Sequence, residues 1–254
     1  MAGLSAKQQV KVLNCISNER LDRYKSLIPS SANGPFVALY YTIQSASSMF
    51  YPTIQILEVC LRNKIHEALV DFFTGRAKSI TLPGKPTEWY LWLPRNIHTQ
   101  KEIKKVLSRA SKEIRNRQLI PGDIISRLSF GSWCSILEDR SDNKDRLFYW
   151  TGVEKSIFPN TQMKKRQIMA EIKWANALRN RLFHHEPIWT GSGVTSIKDA
   201  YKTLKNKHKR LLNIIKMMSP ELYKSYALDY MYKRDFRVSI DGVFQKCREM
   251  VNQK

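Results

Sequence analysis

The stretch TIQILEVCLRNKIHEALVDFF, residues 53–73, decides the fold class. Ile54, Leu57, Leu61, Ile65, Ala68 and Phe72 step by three and four, which is the spacing of one apolar stripe on a helix. Alternation of period two is absent from it, and Pro52 stands just before it, a residue tolerated only at a break or in a first turn. The same periodicity recurs outward in both directions. NERLDRYKSL (18–27) repeats it behind Ser17, a candidate cap, and FVALYYTIQSASSMF (36–50) follows the turn SSANGP. Further on come HTQKEIKKVLSRASKEIRNR (98–117), PGDIISRLSFGSWCSILEDR (121–140), QMKKRQIMAEIKWANALRNRLFHHE (162–186) and SIKDAYKTLKNKHKRLLNIIKMM (196–218). Strand-like patterning is nearly missing. The expectation is an all-α, multi-helix bundle, one domain over 1–254 with a C-terminal extension from about residue 219.

The segment GRAKSITLPGKPTEWYLWLPRN (75–96), with its prolines, glycines and tryptophans, reads as an ordered loop carrying short pieces of structure. Cys15, Cys60, Cys134 and Cys247 form no CxxC pair, which argues against a zinc ribbon or a disulfide scaffold and for reduced, buried thiols. The first twenty residues hold no uninterrupted apolar core, and no run of about eighteen apolar residues occurs, so a cytoplasmic protein without a leader or a membrane partner is expected.

Charge narrows the function. Lys and Arg number 43 against 22 Asp and Glu, a formal net charge of +21. Such an excess points to a polyanion, with nucleic acid first because each neutralised phosphate releases counterions. Residues 101–117 carry seven Lys or Arg against two Glu, including Lys104 and Lys105. Residues 197–210 add Lys202, Lys205, Lys207, Lys209 and Arg210, and Lys164, Lys165 and Arg166 open the 162–186 helix. Solvated helix faces are the plain reading of such runs; together with the net charge they form a candidate RNA-binding surface.

The densest polar cluster is ALRNRLFHHEP, residues 177–187. On a helix at roughly 100° per residue, Ile168, Ile172, Ala175 and Leu182 share a stripe on which Arg179 and Glu186 also fall. A buried cation needs a partner. Glu58 lies on the inward stripe of the 53–73 helix and is the candidate partner for Arg179. Asn180 and His184, four apart, share another face. His208 falls on the stripe of Leu204, Leu211 and Ile215 and reads as a seam residue, while His66, four after Arg62, is a weaker site candidate. There is no metal-ligand spacing, Gly-rich phosphate loop, serine triad or helix-turn-helix, so neither metal nor cofactor is expected.

These residues carry a resemblance. ALRNRLFHHEP resembles the RN-x-x-x-HHEP signature of the Abi-like proteins, the AbiD and AbiF group of bacterial abortive-infection systems, and is closest to the AbiF type. SNERLDRYKS, FYPTIQILEVCLRNKIHEAL and LSFGSWCSIL are similar to further segments of that family, in the family's order. The family is placed in the HEPN superfamily of α-helical proteins. The resemblance implies a metal-independent endoribonuclease of phage defence or of a toxin–antitoxin system, with an R-x4-6-H motif on Arg179 and His184, or His185 at the wider gap. Asn180 is the polar residue after the motif arginine, and beside the motif Glu58, Arg62 and Glu186 are candidate supporting residues and Arg181 a candidate RNA contact. A homodimer with a composite site and a co-encoded noncoding RNA as partner are also implied. The alternative it leaves open is a non-catalytic HEPN-fold protein that holds a cognate noncoding RNA. The residue types suit RNA cleavage: imidazole moves the protons of the 2′-hydroxyl and the leaving 5′-oxygen, and a guanidinium steadies charge on phosphorus.

Overall fold

A computed structural model of the chain describes residues 6–27, 36–76, 85–91, 98–138 and 153–228, with Gly242, Phe244, Gln245 and Glu249. Among the described residues there is no strand, and the all-α expectation holds. The helices are α1 (Ala6–Ile16), α2 (Asn18–Lys25), α3 (Phe36–Ser48), α4 (Tyr51–Arg76), α5 (His98–Glu113), α6 (Pro121–Ile125), α7 (Phe130–Leu137), α8 (Val153–Ile157), α9 (Lys165–Phe183), α10 (Ile197–Met218) and α11 (Pro220–Leu228). A 3-10 turn covers Pro86–Leu91. Most of 75–96, the turn 30–35 and the segment FRVSIDGVF apart from its Gly242 and Phe244 lie outside the described residues.

The chain divides into two compact units. The first holds Met1–Thr53, Leu178–Leu212 and Lys224–Lys254; the second holds Ile54–Ala177 and Asn213–Tyr223. In the first, Leu21, Tyr24, Ile43, Phe50, Leu182, Trp189, Leu204 and Leu211 are buried together with His208. The Tyr24 ring meets Trp189 edge-on at 5.3 Å between centroids, and its hydroxyl accepts from Gln44 Nε2 at 3.1 Å. His208 is a seam residue, as its stripe implies. Its Nε2 lies 2.9 Å from Thr53 Oγ1, which in turn meets the Tyr226 hydroxyl at 3.0 Å. Burial drives the His208 imidazole down to about 4.

In the second unit the α4 stripe is buried at Ile54, Leu57, Leu61, Ile65 and Ala68, but it closes with Leu69 and Phe73 rather than Phe72. Pro52 sits in the first turn of α4. Trp89 and Trp133 are fully buried, 6.2 Å apart between ring centroids. Trp89 Nε1 donates to His66 Nδ1 at 2.8 Å, so His66 is an acceptor for a buried indole and not part of the histidine cluster. Two short helices are started by side chains. Asp123 accepts from the Ile120 N–H and from both terminal nitrogens of Arg117 at 2.8 Å, which holds its carboxyl down to about 2. Ser129 Oγ caps α7 by accepting from the Ser132 N–H at 3.1 Å.

Candidate functional site

The cluster of interest lies at the end of α9, in the first unit. The helix stops at Phe183, three residues short of the expected Glu186. His184 still donates its N–H to the Asn180 carbonyl at 2.9 Å, and then the chain turns away. The His185 N–H donates to the Leu182 carbonyl at 3.0 Å, and the Glu186 N–H to the Arg181 carbonyl at 2.8 Å. Those two bonds form a Schellman motif, in which the residue at the His185 position must be left-handed. His185 has φ 55°, a conformation that glycine usually supplies. Pro187 then blocks any return to helix.

This ending corrects the sequence reading at Glu186. Glu186 does not lie on the buried stripe; it is exposed, because the left-handed residue before it swings the chain off the helix axis. Arg181, expected among the RNA contacts, is about one-third exposed and engages the turn itself. Its Nη2 donates to the Pro187 carbonyl and, at 2.8 Å, to Thr190 Oγ1, while Nε lies 3.3 Å from Glu186 Oε2.

A second cation holds the same turn from α10. Lys207 Nζ donates to the carbonyls of Ile188 at 2.7 Å and Thr190 at 2.9 Å. Burial, and then the neighbouring Arg181 charge, pull the Lys207 ammonium down to about 8. Its place in a lysine-rich run hid this role: the run reads as a solvated face, yet one of its members is spent inside.

What remains on the outside is Arg179, Asn180, Phe183, His184 and His185. Arg179 is half-buried, and its Nη1 donates to Asn180 Oδ1 at 3.3 Å. The guanidinium carbon stands 4.3 Å over the Phe183 ring, a cation–π contact. Phe183 is 47% exposed and meets Tyr51 edge-on at 5.3 Å. An exposed aromatic ring beneath a cation is unusual enough to count as part of the site, and the sequence reading passed it over. The Tyr51 hydroxyl reaches the Leu182 carbonyl at 3.4 Å. His184, His185 and Asn180 are all exposed.

The cluster has a neighbour from α2. Arg20 Nη1 donates to the His185 carbonyl at 3.3 Å, across 165 residues of sequence. Ser17, Glu19, Arg20, Arg23, Glu186 and Pro187 line a cleft of about 380 Å³. Ser17 precedes α2 with φ 73° and makes no capping bond with its side chain, contrary to the expectation of a cap. It and His185 are the non-glycine residues of positive φ among those described. Strained backbone of this kind gathers where surroundings over-determine it.

The other candidates are placed as follows. Lys205 stands 4.4 Å over the Tyr201 ring and Lys209 is exposed, both on α10 in the first unit. In the second unit, Glu58 and Arg62 are half-buried on α4, and Lys104 and Lys105 are exposed on α5. Lys164, just before α9, is exposed, and its N–H donates to Gln167 Oε1 at 2.9 Å. Lys165 and Arg166 line a groove of about 500 Å³ with Met169, Ala170, Lys173 and Glu138, where Lys173 Nζ pairs with Glu138 Oε1 at 2.6 Å. Cys60 and Cys134 are buried free thiols as expected, whereas Cys15 is an exposed one. Cys247 lies outside the described residues.

Among the described residues, no group of three or more His, Cys, Asp or Glu is placed to hold a metal ion, and no helix is long and apolar enough to cross a membrane. Comparison of the chain with protein-family models, with curated proteins and with solved structures found no match.

Proposed function

We propose that the chain is an RNA-binding endoribonuclease of the HEPN type, resembling the Abi-like proteins, with Arg179, Asn180, His184 and His185 as its site. The observation that carries this reading is the exposure of Asn180, His184 and His185 at the end of α9, with the half-buried Arg179 guanidinium lying on the exposed Phe183 ring. An open aromatic face beside a fixed cation accepts an unstacked base and its phosphate, which is how single-stranded RNA is commonly held.

The reaction is an internal transesterification. The substrate's 2′-oxygen forms a bond to phosphorus, the bond from phosphorus to the 5′-oxygen breaks, and a 2′,3′-cyclic phosphate and a 5′-hydroxyl result. An imidazole accepts the 2′ proton, and the 5′-oxygen gains one in turn. Arg179 offsets the charge that builds on the non-bridging oxygens, with its guanidinium held in place by Phe183 and Asn180. Arg181 and Lys207 touch neither reactant; they hold the 187–190 turn on which the histidines depend. The active form is a homodimer whose two copies of the motif share one groove, as the HEPN resemblance suggests, in a phage-defence or toxin–antitoxin setting with a co-encoded RNA as partner.

The test is incubation of the purified protein with total RNA, with and without the co-encoded RNA, alongside Arg179→Ala and His184→Ala. Cleavage by the wild type and at least a hundredfold loss in both variants, roughly the cost of removing a proton-transfer or charge-stabilising group, supports the reading. Equal cleavage by all three, or none by the wild type, rejects it.

A further inference from the structure

The cleft between α2 and the HHEP turn holds charges that the proposed cleavage does not use. Glu19 and Arg23 stand on the same face of α2, four residues apart, and both are exposed. Neither side chain makes an ion pair or hydrogen bond among the described residues, although the order Glu then Arg at this spacing favours one. The other two charged groups of the cleft are occupied. Arg20 is turned onto the His185 carbonyl, and Glu186 faces Arg181. The cleft therefore offers one available cation and one available carboxylate, directly against the backbone of the proposed histidine site.

A bare phosphate satisfies only half of that, because Glu19 opposes it. A nucleotide satisfies both halves: its phosphate accepts from a guanidinium, and its base donates N–H groups to a carboxylate. Guanine is the base that sets an imino and an amino N–H side by side, matching the two oxygens of one carboxylate. The volume of about 380 Å³ admits one base with its sugar.

We infer that this cleft is a nucleotide subsite for the strand being cut, with Arg23 holding a flanking phosphate and Glu19 selecting guanine. The inference rests on the ribonuclease reading for its substrate class. Arg20 is a positioning residue, since its bond to His185 joins the subsite to the turn. The cleavage site then falls at a set distance from a guanine, and the enzyme's sequence preference resides in α2, far in sequence from the R-x4-H motif.

The experiment is binding of the full-length protein to fluorescent 2′-O-methyl oligonucleotides, which lack the nucleophile and cannot be cut. Three otherwise identical oligonucleotides carry one guanine, one inosine (which lacks the amino group) or one adenine. The expected result is about tenfold tighter binding of the guanine oligonucleotide than of the inosine one. Glu19→Gln should remove that preference, and Arg23→Ala should weaken all three alike and lower the salt slope by about one. Both positions are exposed, and circular dichroism checks that the variants are folded. No guanine preference in the wild type, a preference kept by Glu19→Gln, or no binding at all overturns the inference. Cleavage of unmodified RNA is scored separately. Cutting without guanine preference rejects the subsite and leaves the ribonuclease reading intact; guanine-selective binding without cutting does the reverse.

Discussion

Lys207 Nζ lies 2.7 Å from the carbonyl oxygen of Ile188, and with its second bond to Thr190 it ties α10 to the turn that follows the two histidines. Arg181 grips the same turn from α9 through Pro187 and Thr190. Two cations of a strongly basic chain are thus fasteners of this turn, Lys207 on two carbonyl oxygens and Arg181 on the Pro187 carbonyl, the Thr190 hydroxyl and the Glu186 carboxylate.

Removing Lys207 takes the donor from the Ile188 and Thr190 carbonyls, and removing Arg181 leaves the Pro187 carbonyl with the Thr190 hydroxyl alone. Lys207→Met and Arg181→Met should each cost about 2 kcal/mol of stability, as expected for a charged hydrogen bond lost beside a buried acceptor. Under the ribonuclease reading both should also lower kcat with KM nearly unchanged, since they place the histidines without touching RNA. Urea unfolding and steady-state cleavage check the two halves. A variant with full stability and full kcat would show that the turn holds itself.

The depressed Lys207 has a signature in alkali. Its ammonium titrates near 8 in the folded chain and near 10.5 when unfolded. Between those values the unfolded chain binds more protons, so stability rises with pH across that window, and below pH 8 the cost of burying the charge is present in full. Lys207→Met should flatten this rise in thermal melts taken from pH 7.5 to 10.

His208 acts at the other end of the scale. Its folded value of about 4 lies below the ordinary imidazole value of 6.5, so between them the unfolded chain again binds more protons. Stability falls as the pH drops through 6.5 toward 4, by up to about 3 kcal/mol from this residue. Melts at pH 7 and pH 4.5 should show the loss. His208→Gln should be less stable at pH 7, through the disturbed bond to Thr53, yet lose less on acidification.

His185 separates shape from chemistry. A glycine in its left-handed position relieves roughly 1 kcal/mol of backbone strain, and a valine adds to it. His185→Gly should therefore melt higher than the wild type and His185→Val lower. If His184 carries the proton transfer, His185→Gly keeps most of the cleavage that His184→Ala loses. Complete loss in His185→Gly would move the catalytic role to His185.

The helical framework was legible because burial imposes a period. The stripes of α4, α9 and α10 are visible as apolar residues three and four apart, and even His208 could be placed from its stripe alone. The end of α9 was not legible in the same way. A helix projection carries every residue onward at the same angle, so it put Glu186 on the buried face. It has no means to register that His185 turns left-handed and that Arg181 bends back to Pro187. Side-chain roles suffered likewise. Lys207 lies in a run with the exposed Lys202 and Lys209, and its bonds to the carbonyls of Ile188 and Thr190 set it apart from them. The exposed ring of Phe183 was passed over because apolar periodicity alone does not mark an aromatic residue at a helix end as part of a site.

The bond from Arg20 to His185 also sets a clock. Its two partners are 165 residues apart, and at 5–20 residues per second a ribosome needs roughly ten to thirty seconds to pass from one to the other. Until Lys207 has followed them out of the exit tunnel, the HHEP turn lacks its fastening to α10. Under the proposed ribonuclease reading, a growing polypeptide therefore lacks the assembled site until Arg20, His185 and Lys207 have all been made and released from the tunnel.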